Sequence, residues 1–204
     1  MKKEIKIELI KGKDKWQVFE KEIDLINDCK LRQFVRIALE RAYPTFYSNG
    51  ASRDHHHKTK YGLVRHIKEC VYLAREKIRQ YNYDNHYGDL LVAAMLLHDL
   101  TKYVYHEDEN MNRTKYKIHP ITVRSLLWDL ADIIGHNDFD MIMRGIESHM
   151  GIFWNYTKYP ETQFERDCYD CDYFASRVNI QIPIIGEDIK LGRQYKEGTL
   201  KVEK

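Results

Sequence analysis

Residues 90–97 read LLVAAMLL, and no other stretch of the chain limits its fold as tightly. Eight residues without a charge, hydroxyl or amide are apolar on every face, so they belong inside a core as a helix or strand. The run ends in His98-Asp99-Leu100-Thr101-Lys102. Burying an imidazole and a carboxylate there is costly unless something satisfies them. A metal ion would satisfy both, because neutral imidazole and carboxylate are ordinary ligands. A helix end from which the two side chains emerge into solvent would satisfy them as well. Taken alone, the pair favours that plainer reading, and the rest of the chain has to decide.

The chain's 204 residues suit one domain with a sizeable core. A hydrophobic share of 43% and an aromatic share of 12% argue against disorder. Lys and Arg number 33 against 31 Asp and Glu, which removes the electrostatic case for duplex nucleic acid or a membrane surface as partner. No apolar run reaches the length of a membrane span, and Met1-Lys2-Lys3 leads into alternating charge rather than a signal-type apolar core. The expected location is therefore the cytoplasm. Cys29, Cys70, Cys168 and Cys171 are too few and too scattered for a disulfide scaffold, so reduced thiols are expected.

Periodicity predicts an all-α fold. Residues 4–10 alternate charged and apolar side chains, as a short strand or lead-in would. Helical spacing follows from Trp16 to Arg41, in two pieces broken near Asn27-Asp28. Residues 44–60 read as a loop that carries His55, His56 and His57. The next helix is expected from Tyr61 to Gln80, with Leu63, Ile67, Cys70, Val71 and Ala74 on one face. A connector over 81–88 leads into the apolar helix, expected from Asp89 to His98, and a polar, aromatic loop covers 102–117. Pro120, suited to a first helical turn, opens a helix closed by Gly135. Two further helices are expected, one ending at Gly151 and one over 164–177, before a tail from Ile180. The expected division is a lead-in over 1–50, a core over 51–178 and a tail over 179–204.

Polar residues fall on the core-facing sides of these helices. His66 lies three after Leu63 and four before Cys70; His119 precedes Pro120 and sits four before Val123. His149 follows Phe139, Ile142 and Ile146 at helical spacing, and Asp172 lies four after Cys168. Each alone has a plain reading, since a single buried His usually donates to a carbonyl and a single inward Asp usually caps or pairs. Together with His98-Asp99 they make six metal-competent residues on five helices. That is expensive without a shared partner. Four imidazoles and two carboxylates also exceed what one tetrahedral ion needs, which suggests two metals.

The order His66, His98-Asp99, Asp172 resembles the signature of the HD-domain metal-dependent phosphohydrolases. His119 and His149 stand where the binuclear branch of that family carries two more histidines. The likeness runs from about Ile26 to Arg177, most of the chain. HD-type 3′-to-5′ exoribonucleases are similar at Ala51, His56-His57, Gly62-Leu63, His66, the His98-to-Lys102 turn and Glu147-Ser148-His149-Met150-Gly151. HD-type diadenosine tetraphosphate hydrolases are similar at His98-Asp99, Lys102, His119-Pro120, His149, Asp172-Tyr173 and Ser176-Arg177. The family's Gly-Gly-Leu stands here as Tyr61-Gly62-Leu63, and its His-His-Gly as His149-Met150-Gly151. The exoribonucleases also carry an N-terminal oligonucleotide-binding barrel, for which about fifty residues leave no room here.

The resemblance implies a helical HD bundle with a short N-terminal extension and a C-terminal tail. His66, His98, Asp99 and Asp172 would hold a first divalent ion (Mn, Fe, Co, Ni or Zn), and Asp99 would bridge to a second held by His119 and His149. It further implies hydrolysis of a phosphoester or phosphoanhydride by a metal-activated hydroxide, with a nucleotide or short oligonucleotide as partner. Asp99 and Lys102 are the expected catalytic residues. Lys102 would hold a phosphate oxygen or the partner of the attacking water, unless it is a solvated helix-end lysine. His56, His57 and Lys60 are candidate phosphate contacts, and Arg124 and Arg177 are further ones. The rivals are a 3′-to-5′ exonuclease on short RNA or DNA and a catalytically idle nucleotide sensor; a homo-oligomer is compatible with either. The pair Cys168-Cys171 lacks the second pair of a zinc knuckle and the βαβ setting of a redox motif, so packing is its expected role. His86, His106 and His136 read as solvent-facing, and Trp128 and Trp154 as core or pocket wall.

Overall fold

The computed structural model describes residues 15–52, 56–102, 118–151 and 158–186. Among these residues all regular structure is helical and there is no strand. A 3₁₀ turn, Lys15–Phe19, leads into α1 (Glu20–Ile23), α2 (Cys29–Glu40) and α3 (Pro44–Ser48). The long α4 (Gly62–Tyr81) and α5 (Asn85–Leu97) follow, then α6 (His119–Leu127), a 3₁₀ turn (Trp128–Leu130) and α7 (Ala131–Ile134). The last two helices are α8 (His136–Ser148) and α9 (Gln163–Ala175). No described helix is long and apolar enough to cross a membrane.

The apolar run forms the central helix. Leu90 to Leu97 are all buried because α5 is packed on several sides at once, by α1, α2, α4, α8 and α9. Its N-terminus is capped by Asp84, whose carboxylate accepts the Tyr87 N–H at 2.8 Å. One turn further, buried Asp89 accepts the backbone N–H groups of Asn27 and Asp28 at 2.9 and 2.8 Å. That ties the start of α2 to the central helix across 61 residues of chain. One continuous core runs from Phe19 to Ile182, so residues before 51 and after 178 share it with the rest.

Several boundaries differ from the sequence expectations, each for a local reason. Residues 44–48 form a helical turn rather than loop. Pro44 presets its first residue, Phe46 and Tyr47 pack on Phe19, and the Tyr47 hydroxyl donates to the Leu39 carbonyl at 2.7 Å. Helix α5 starts at Asn85, inside the expected connector, because Asp84 supplies the cap. The helix opened by Pro120 does not run unbroken to Gly135. Arg41 donates to the Leu126 carbonyl at 2.8 Å and holds Asp129 at 2.6 and 2.7 Å, where the chain tightens into the 3₁₀ turn. The expected strand over 4–10, the stretch over 103–117 with His106, Trp154 and the tail beyond 186 lie outside the described residues.

Two glycines permit close approaches that position the site. A Cβ at Gly62 would collide with the His57 carbonyl oxygen, so the loop carrying His56 and His57 can close onto the start of α4 only over a glycine. A Cβ at Gly145 would lie 2.7 Å from both Cys168 Sγ and the Phe164 ring, so α8 and α9 meet closely there. Helix α9 begins in a capping box, in which Thr162 Oγ1 accepts the Glu165 N–H and Glu165 reaches back to the cap.

Candidate metal centre

All six expected ligands converge. His66 comes from the buried face of α4, and His98 and Asp99 from the turn that ends α5. His119 starts α6, His149 follows α8, and Asp172 lies on α9. His66, His98, Asp99, His119 and His149 are each at most 1% exposed, while the Asp172 side chain is 15% exposed. The turn is built from two i→i+3 hydrogen bonds, Leu100 N–H to Leu97 and Lys102 N–H to Asp99, both at 3.0 Å. It carries His98 and Asp99 past the end of α5 without leaving the core. Thr101 Oγ1 donates to the His119 carbonyl at 2.7 Å and so fixes the start of α6 against this turn.

Two groups of donors surround the two oxygens of Asp99. Toward Oδ2 lie His98 Nε2 at 3.6 Å and His66 Nε2 at 3.9 Å. His66 Nε2 is itself 3.4 Å from His98 Nε2 and 2.9 Å from Asp172 Oδ1. Toward Oδ1 lie His119 Nε2 at 2.8 Å and His149 Nε2 at 3.8 Å. Two ligand atoms bound about 2.1 Å from one ion lie roughly 3.0 Å apart across a right angle and roughly 3.4 Å across a tetrahedral one. The observed separations run from near the right-angle edge, 2.8 Å, to somewhat beyond the tetrahedral one, 3.9 Å.

Local hydrogen bonds orient the imidazoles. His98 Nδ1 donates to the Met95 carbonyl at 2.8 Å and His149 Nδ1 to the Ile146 carbonyl at 2.7 Å. Each leaves its Nε2 lone pair aimed inward, the usual outer-shell device of a metal ligand. His149 Nε2 has no hydrogen-bond partner among the described residues although it is buried. Burial, reinforced by His98, pushes the His149 pKa down to about 3, and burial lowers that of His66. The imidazoles of His149 and His66 are therefore neutral and ready to donate a lone pair. Burial opposes ionisation of Asp99, but the Lys102 ammonium with His98 and His119 outweighs it and holds the carboxyl well below its usual range. Asp172 is also lowered, since His66 overcomes the penalty of burial. The donor set (inward imidazoles, two of them kept neutral by burial, ionised carboxylates and an orphaned buried nitrogen) fits a divalent cation.

The other expected site residues fare differently. Lys102 is buried, with Nζ 2.6 Å from Asp99 Oδ2, so it is not a solvated helix-end lysine. His56 stands beside the centre, its ring 4.9 Å from that of His66 and its Nε2 buried without a described partner. His57 faces away: its Nε2 lies 2.7 Å from buried Glu69, which Arg65 also holds at 2.6 Å. Arg124 is occupied by Glu147 at 2.5 Å and Asp140 at 2.8 Å. Lys60 is exposed over the Tyr61 ring, and Arg177 is exposed over the Tyr173 ring. Neither is brought to the centre by a described contact.

His86 and His136 are solvent-exposed, as expected, each in the first turn of a helix. Trp128 is 57% exposed instead of buried in a core. Cys168 and Cys171 are buried free thiols packed on α9. Sequence reasoning passed over Cys70, which it placed only on an apolar face. Its Sγ lies 3.7 Å from His66 Nε2, and burial pushes its thiol pKa well up. The available signal was the i, i+4 spacing from His66, which sets two side chains on one helix face.

The class that fold and site define is thus an all-helical protein with a buried His/Cys/Asp cluster able to hold a metal ion. No family model, curated protein or solved structure matches the chain.

Proposed function

We propose that the chain is a metal-dependent phosphohydrolase of the HD-domain type, cleaving a phosphoester or phosphoanhydride bond of a nucleotide or short oligonucleotide. The observation that carries this reading is the division of donors about Asp99, with His66 and His98 toward Oδ2 and His119 and His149 toward Oδ1. A carboxylate with separate imidazoles at each oxygen suits a bridge between two divalent ions. Such a pair acidifies a water and offsets the charge that grows on phosphoryl oxygens during in-line displacement.

The chain's own residues prepare that chemistry. The Nδ1–H bonds of His98 and His149 fix which nitrogen faces inward. Lys102 keeps Asp99 ionised. His56 is the best-placed candidate for contact with a phosphate oxygen, because its buried Nε2 has no described partner and lies beside His66. His57, held by Glu69, positions the same loop from behind. The near-neutral net charge of +2 favours small nucleotides over long RNA.

Metal analysis of the purified protein should find close to two transition-metal equivalents per chain. A product-resolved screen of nucleotides and short oligonucleotides under Mn²⁺, Fe²⁺, Co²⁺ and Ni²⁺ should then show turnover that Asp99→Ala abolishes. Absence of bound metal, or nucleotide binding with no product in any condition, would overturn the proposal; the second result would indicate a sensor.

A further inference from the structure

One donor beside the first ion position is not used by the reading above. Cys70, His66, His98 and Asp172 each offer one ligand atom, and these four atoms all lie within 4.8 Å of one another. With metal–nitrogen bonds near 2.1 Å and a metal–sulfur bond near 2.3 Å, tetrahedral angles put two nitrogens about 3.4 Å apart, and nitrogen and sulfur about 3.6 Å apart. The distances here are 3.4 Å for His66 to His98 and 3.7 Å for Cys70 to His66. The sulfur thus stands where a coordination sphere has room for it.

Charge points the same way. A buried divalent ion needs anionic ligands close by, and Asp172 supplies one. Asp99 is already engaged on both sides, by Lys102 at 2.6 Å and His119 at 2.8 Å. Its negative charge is therefore only partly available to the ion between His66 and His98. A thiolate from Cys70 would complete the charge match.

We infer that Cys70 is a thiolate ligand of the ion held by His66, His98 and Asp172, and that it biases this position toward thiophilic Zn²⁺ or Co²⁺ over Mn²⁺. The inference rests on the metal-centre reading proposed above. As the ion enters, the sulfur electron pair forms the metal–sulfur bond and the thiol proton leaves to solvent, so Cys–SH and M²⁺ give Cys–S–M⁺ and H⁺. The competing account is a cysteine that only packs, as a small hydrophobe beside Ile67, Val71 and Ala74 on the buried face of α4.

Cobalt titration of the reduced, metal-free full chain separates the two accounts. Visible ligand-field bands report that Co²⁺ is bound, and a near-ultraviolet sulfur-to-cobalt charge-transfer band reports a thiolate. Wild type should show both. Cys70→Ala should keep the visible bands and lose the charge-transfer band, while Cys171→Ala keeps both. Cys70→Ala should also narrow the preference for Zn²⁺ over Mn²⁺ by at least about tenfold, the lower end of what even an outer-shell contact contributes. Visible bands without charge transfer in wild type would overturn the role of Cys70 and leave the metal centre standing. Absence of both would overturn the metal centre and the thiolate together. A charge-transfer band that survives in Cys70→Ala would assign the sulfur elsewhere and overturn the inference. Should Cys70→Ala not fold, X-ray absorption of the Zn²⁺-loaded wild type decides: a sulfur scatterer at about 2.3 Å is expected, and its absence overturns the inference.

Discussion

Helix α9 carries two aspartates five residues apart, Asp167 fully buried and Asp172 mostly so, and they are treated in opposite ways. Asp167, fully buried, accepts hydrogen bonds from Lys77 Nζ at 3.0 Å, Gln163 Nε2 at 3.0 Å and the Tyr87 hydroxyl at 2.7 Å. Its charge is neutralised and its lone pairs are fed from within the chain. Asp172 faces imidazoles instead, in a cluster where His149 Nε2 and His66 Nδ1 have no described partner. Both positions carry the desolvation cost of a buried carboxylate. Lys77 closes the first cluster; in the second, Lys102 pairs with Asp99 while Asp172 faces imidazoles, an arrangement that still suits a cation from outside. The first arrangement holds the bundle together, and the second has the composition of a site.

The largest expected effect lies in the open cluster. Asp99→Ala should lower phosphodiester turnover by roughly 10³-fold or more, equivalent to about 4 kcal/mol of transition-state stabilisation. Steady-state kinetics with Mn²⁺ checks it, and turnover within tenfold of wild type would remove Asp99 from the chemistry. In the closed cluster, Asp167→Ala leaves Lys77 with Asp170 alone and takes the acceptor away from Tyr87 and Gln163, which should cost about 2 kcal/mol in chemical denaturation. The same experiment on metal-free protein should find Asp172→Ala much milder, since it removes a carboxylate whose described partners are imidazoles rather than an ammonium. Equal costs at the two positions would erase the contrast.

Metal should act on one cluster only. At a free concentration about a hundredfold above Kd, each bound ion adds roughly 2.7 kcal/mol to stability. Thermal unfolding with and without Zn²⁺ or Mn²⁺ should show that gain in wild type. Asp172→Ala should lose it, whereas Gln163→Ala, at the edge of the closed cluster, should retain it.

Acid and alkali should also divide the two regions. The His149 pKa is depressed by burial to about 3, so the unfolded chain takes up this proton near pH 6.5 while the folded chain refuses it. That contribution is complete above pH 6.5 and is lost as the pH falls toward 3. The lowered carboxyls of Asp99 and Asp172 add a further loss below the ordinary Asp range. Burial opposes the charge on Lys77, but Asp170 and Asp167 more than offset it and raise its pKa. Its contribution is complete below about pH 10.5 and is lost as the pH rises through the elevated value. Denaturation midpoints of the metal-free protein should therefore fall on both sides, with His149→Gln softening only the acid side. The smallest effect is local: Thr162→Ala, which removes the cap of α9, should cost about 1 kcal/mol and leave metal affinity unchanged.

Much of this molecule was legible in one dimension because helical spacing makes a face visible without its partner. The apolar run of α5, the stripe of α4 and the core-facing placement of His66, His149 and Asp172 follow from local order. So does the adjacency of His98 and Asp99, since a turn at the end of a buried helix keeps both near the core. What local order could not show is which side chain meets which across the bundle. Asp172 meets His66 across 106 residues and Lys77 meets Asp167 across 90. Arg41 reaches the Leu126 carbonyl across 85 residues, beside the 3₁₀ turn that interrupts the helix. Lys102 turns inward to Asp99, His57 turns to Glu69, and Cys70 lies against His66. Sequence by itself determined the helices and the chemical kinds of residue facing inward, because periodicity and burial act residue by residue. Only the tertiary structure decided how the buried charges pair, because their electrostatic energy depends on distances between helices that no local pattern encodes.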